Sequence, residues 1–80
     1  MPNLTRQRQD PALLALGAAI REVRMEQGVS QEALALLAGV DRSYVGRVER
    51  GDNNVAVLTL MRLAAALGLQ ASQLLERAAL

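Results

Sequence analysis

Glycines at positions 28, 39, 51 and 68 cut most of this sequence into short stretches. Within each stretch apolar residues recur at three and four positions rather than at two, the period of a helix and not of a half-buried strand. The spacing predicts an all-α chain of five helices with no convincing strand. The stretch "GVSQEALALLAGVDRSYVGRVERG", Gly28–Gly51, is the most informative, because two helix-length pieces are joined there by only about three residues, Gly39–Asp41.

The first helix is expected over about Ala12–Gln27. Asp10 suits its N-cap, and Pro11 suits the first helical position, where a missing N–H costs nothing. Leu13, Leu16, Gly17, Ile20 and Val23 or Arg24 fall on one face, and Gly28 is the stop. Ser30 caps a second helix over about Gln31–Ala38, with Ala33 where Glu or Gln would complete a capping box. After Gly39, Asp41 is expected to cap a third helix, about Arg42–Glu49, closed by Gly51. "DNN", Asp52–Asn54, is a polar loop by composition. A fourth helix over about Val57–Leu67 has only Thr59 and Arg62 as polar residues, so it should be covered on most faces. A fifth, about Ala71–Ala78, presents Leu74 and Leu75.

Composition narrows the function. Eighty residues make one small domain, which buries roughly 60% of the surface its unfolded chain exposes and needs further support. Residues 1–10 are expected to be a flexible tail and residues 11–80 the domain. The chain has no cysteine and no histidine, which removes disulfides, thiolate metal sites and the commonest base near neutral pH. Glu22 and Glu26 share a face by spacing alone, which is usually just exposed helix. An enzyme is therefore a poor reading, and no cofactor, metal or small-molecule ligand is expected. The polar Met1–Asp10 before the apolar "PALLALGAAI" loosely imitates a secretory signal. That run is too short to span a bilayer and flows into the helical "REVRMEQ", so no membrane is expected and a cytoplasmic location is permitted.

Every basic residue is arginine, yet the net charge is only +1, so affinity for an acidic ligand must come from how the arginines are arranged. The short Gly39–Asp41 connection has the length of a helix-turn-helix turn. In that motif the first helix crosses the DNA backbone and the second lies in the major groove. Ala35 supplies the small residue that a close crossing needs, and Gly39 the turn. Leu34, Leu37, Val40, Val45 and Val48 have the spacing to tie the pair to the body of the domain. Arg42, Ser43, Tyr44 and Arg47 then lie on the exposed N-terminal side of the second helix, where groups reach base edges.

"SQEALALLAGVDRSYVGRVERG" resembles the helix-turn-helix of the Cro and phage-repressor (Xre-type) family. The resemblance runs from near Leu16 to about Leu75 and includes "IREVRMEQGVSQEALA", "VERG" and "LTLMRLAAALGL". Within the family, "DRSYVGRVERGDNN" is most similar to the controller proteins of restriction–modification systems, which often begin the recognition helix Arg–Ser/Thr–Tyr. The resemblance implies a compact five-helix lambda-repressor-like domain that binds double-stranded operator DNA as a homodimer and regulates transcription. It implies that Gln31 touches phosphate, that Arg42, Ser43 and Arg47 sit where bases are read, and that Tyr44 reaches backbone or base. Arg50, Asn53 and Asn54 would meet phosphate after the third helix, with ordinary turn residues as the alternative. Arg24 and Glu49 take positions that often form a structural ion pair. Gly46 departs from the pattern, standing where a polar or bulky residue is usual on the exposed face, and Ala56 stands where a Ser would commonly cap the fourth helix.

The fourth and fifth helices carry more leucine than so small a domain can surround. Leu58, Met61, Leu69, Leu74 and Leu75 are the expected twofold interface, which would set two recognition helices about 34 Å apart on a palindromic site. Arg6 and Arg8 read as part of the tail, with an arm entering a minor groove as the alternative. The competing function is a helical protein-interaction module, such as an antitoxin-like partner, whose aliphatic face holds another protein.

Overall fold

A computed structural model describes residues 9–80. It contains α1 (Pro11–Glu26), α2 (Gln31–Ala38), α3 (Arg42–Glu49), α4 (Val57–Ala66) and α5 (Ala71–Arg77), with no strand among the described residues. Residues 1–8 of the expected tail, with Arg6 and Arg8, lie outside the described residues. The other two are held: the Gln9 N–H donates to the Gly51 carbonyl at 2.5 Å, and Asp10 Oδ1 accepts from the Ala12 N–H at 2.9 Å, capping α1.

The helix starts follow local chemistry. Ser30 Oγ accepts from the Ala33 N–H at 3.0 Å, satisfying one of the donors a helix start leaves open. The Gln73 side chain reaches back to the Gln70 N–H at 2.8 Å and starts α5 without a Ser, Thr, Asp or Asn cap. Asp41 corrects an expectation: it stands at the start of α3 but its side chain makes no cap bond, and the helix begins on its carbonyl, which accepts from Tyr44 and Val45. Ala56 likewise starts α4 without a side-chain cap. Gln27, Leu67 and Ala78 are half-in capping residues, so α1, α4 and α5 each end one residue before the expected limit.

Eight-residue helices are too short to persist alone in water, so α2 and α3 exist because they are packed. α2 lies against α3 and α4, α1 against α3 and α5, and α4 against α5. Ile20 of α1, Leu34 of α2, Val45 and Val48 of α3, Leu63 of α4 and Leu74 of α5 are the largest fully buried side chains, so every helix anchors in one aliphatic core. Each such side chain contributes about 1.5–3 kcal/mol on burial. α1 approaches α3 closely at Gly17, where a Cβ would stand 2.3 Å from the Val48 carbonyl oxygen.

The packing corrects three expectations. Leu37 is 65% exposed and ties nothing to the core, because α2 turns Leu34, Ala35 and Ala38 inward instead. α4 is not covered on most faces: Val57 and Leu58 are each 71% exposed and Met61 52%. Leu74 is fully buried within the chain and has no surface to offer a second copy.

Candidate nucleic-acid interface

α3 is buried along one side by Val45, Val48 and Glu49, and open at its N-terminal end, where Arg42 and Ser43 are exposed. Tyr44 is half-buried and packs against the core with its ring, so it belongs partly to the fold. One turn on, the Arg47 guanidinium lies over that ring, 5.8 Å from its centroid, within the range of a cation–π contact.

The loop after α3 closes on the same helix. The Asp52 N–H donates to the Arg47 carbonyl at 2.9 Å. Arg50 Nε donates to Asp52 Oδ2 at 3.2 Å, although the Arg50 side chain is still 62% exposed. The Asn53 amide, turned so that both its groups are satisfied, accepts from Arg47 Nε at 3.1 Å and donates to the Asp52 carbonyl at 3.2 Å. Asp52 was not singled out from the sequence. The available signal was an acid two residues beyond Arg50, across a glycine.

Gln31 at the start of α2 is tied into the fold. Its Nε2 donates to Glu49 Oε1 at 3.0 Å. Glu49 also accepts from Arg24 Nε at 2.6 Å and Arg24 Nη2 at 3.1 Å, and Arg24 Nη1 donates to the Val29 carbonyl at 2.8 Å. The Arg24–Glu49 ion pair is thus mostly buried and joins α1, α2 and α3. Gly46 corrects another expectation. It is buried, not on the exposed face: a Cβ there would stand 3.2 Å from Arg50 Nη1 and 3.9 Å from Gln31 Oε1. The missing side chain lets the ends of Gln31 and Arg50 converge over α3. Asn54 is exposed and lines a recess with Asp10, Ala12 and Leu13 near the start of α1.

Among the described residues, no group of His, Cys, Asp or Glu side chains is placed to hold a metal ion. Among the same described residues, no single helix is long and apolar enough to cross a membrane.

A helix-turn-helix family pattern matches residues 20–74, from the middle of α1 into α5. A hypothetical transcription factor of Neisseria meningitidis is 48% identical over 56 residues, which is 70% of this chain and 53% of that protein. The chain therefore spans about half that relative's length. The control protein C.SmaI of Serratia marcescens is 42% identical over 62 residues, 78% of this chain and 74% of that one. In three dimensions, the restriction-modification controller protein C.AhdI from Aeromonas hydrophila matches with a TM-score of 0.76 and 48% identity, covering 78% of this chain and 94% of that chain. The chain belongs to the Xre-type helix-turn-helix family of DNA-binding transcription regulators. Within that family it resembles the controller proteins of restriction–modification systems.

Proposed function

We propose that this regulator acts as a homodimer on a palindromic operator and serves as a restriction–modification controller in the cytoplasm, without catalytic activity. Arg42, Ser43 and Arg47 read bases, Tyr44 reaches base or backbone, and Gln31, Arg50 and Asn54 meet phosphate. The observation that carries the reading is the two-sided build of α3, anchored by Val45 and Val48 and open at Arg42 and Ser43. A helix held in that way can enter a major groove, where arginine pairs with guanine through two hydrogen bonds. Leu58, Met61, Leu69 and Leu75 form the twofold interface, around the apolar recess that Val57, Met61, Ala65 and Leu69 line between α4 and α5. Such a dimer needs its two copies of α3 on successive turns of DNA.

A second reading has its own observation. Leu36 is 82% exposed beside Leu37 on α2, apolar surface that suits a protein partner. Selection of bound sequences from a random duplex library, repeated with the Arg42→Ala/Arg47→Ala double variant, separates the two. A palindromic consensus that the double variant loses supports the dimeric base reader. No enrichment above input favours the protein-binding module.

A further inference from the structure

Gln31, Arg50 and Asn53, all expected to meet phosphate, each bond another side chain, and the partner of Asn53 is Arg47, itself on the reading face of α3. With the Asn53 amide assigned in the orientation that satisfies both groups, its oxygen accepts from Arg47 Nε at 3.1 Å and its nitrogen donates to the Asp52 carbonyl at 3.2 Å. The Asp52 N–H is itself bonded to the Arg47 carbonyl, so the loop that carries Asn53 is registered to the residue it braces. On another side the same guanidinium meets the Tyr44 ring. Both Arg47 and Asn53 are half-buried.

We propose that Asn53 is a positioning residue for base reading: it holds Arg47 by Nε, against Tyr44, so that Arg47 presents its two terminal nitrogens to the DNA. The proposal rests on the reading of Arg47 as a base contact and deepens it. An arginine carries donors on Nε and on both Nη atoms. With Nε committed to Asn53, the remaining donors form the end-on edge, which can span the two acceptors of a guanine. Bracing also removes rotamer freedom before DNA arrives, so less is lost on binding. Asn53 thereby acts on sequence preference without touching a base.

The test is a cycle of Asn53→Ala, Arg47→Ala and the double variant, each measured on the selected operator and on duplexes changed at single base pairs. Arg47→Ala is expected to abolish preference at one base pair in each half-site. Asn53→Ala is expected to weaken preference at that same pair by about twofold to tenfold, the range for freeing one rotamer-rich side chain, and to add nothing once Arg47 is already Ala. Asn53→Asp keeps the acceptor toward Arg47 but loses the donor to the Asp52 carbonyl, so it should keep more of the preference than Asn53→Ala while lowering affinity for every duplex, because it sets a negative charge near phosphate. In the free protein, the Arg47 Nε–H should exchange slowly with solvent, and faster in Asn53→Ala. Equal weakening on all duplexes, additive with Arg47→Ala, would make Asn53 a phosphate ligand and overturn the proposal. An Asn53→Ala variant identical to the parent overturns it as well. If Arg47→Ala leaves the selected sequence unchanged, the underlying base-reading assignment of Arg47 fails first, a result distinct from both.

Discussion

Gly17 and Gly46 both place glycine inside a helix, where it is about 1 kcal/mol less favourable than alanine, yet their surroundings differ. A Cβ at Gly17 would stand 2.3 Å and 2.7 Å from the carbonyl oxygens of Val48 and Glu49, backbone atoms that move only if α1 and α3 part. A Cβ at Gly46 would stand 3.2 Å from Arg50 Nη1, the far end of a flexible side chain. Gly17→Ala is therefore expected to lower stability by about 1–3 kcal/mol through overpacking, despite its better propensity. Gly46→Ala should raise stability by up to about 1 kcal/mol, since the Arg50–Asp52 pair it disturbs is exposed and such pairs contribute little. Thermal melts compare the two directly, at roughly 4–8 °C per kcal/mol for a domain of this size. A Gly17→Ala melt equal to the parent's would contradict the close crossing of α1 and α3.

Three helices meet at one carboxylate. Glu49 on α3 accepts from Arg24 on α1 and from Gln31 on α2, with its own side chain 3% exposed and that of Arg24 12%. Removing one member of a buried pair leaves the other charge uncompensated, which costs about 3–5 kcal/mol. Glu49→Ala should thus lower the melting temperature strongly, because Arg24 is fixed by the Val29 carbonyl as well and stays near the buried site. A melt within a degree or two of the parent would show that Arg24 escapes to water. The outer ion pair between Glu26 and Arg77, which links α1 to α5, is exposed on both partners, and its loss should be small.

At the scale of the whole molecule, the apolar excess divides into covered and uncovered parts. Leu60, Leu63, Leu67 and Leu74 close the core, whereas Val57, Leu58 and Met61 face outward along α4. A small domain buries a modest fraction of its surface, and a second copy set on α4 and α5 would bury more. Met61→Glu is expected to shift sedimentation from dimer to monomer while leaving the helical signal unchanged. A dimer that survives Met61→Glu would move the interface elsewhere, with the exposed Leu36 and Leu37 of α2 the next surface to probe.

What the sequence determined by itself is what local chemistry decides. Asp10, Pro11, Ser30 and Gly39 set helix boundaries within a residue or two of themselves, since a cap or a left-handed turn acts on its nearest backbone groups. The short Gly39–Asp41 connection and the arginines after it gave the helix-turn-helix and its family in the same way. What only the tertiary structure decided is which side of each helix is covered. Leu34 and Leu37 share a plausible spacing, as do Leu74 and Leu75, and the period cannot say which neighbour will be covered by another helix. Leu37 and Leu75 stay at or near the surface while Leu34 and Leu74 are fully buried. The space over Gly46 and the hold of Asn53 on Arg47 were equally invisible, because each depends on a side chain brought by a different element: burial and side-chain partners follow from how the helices pack, not from the helix period.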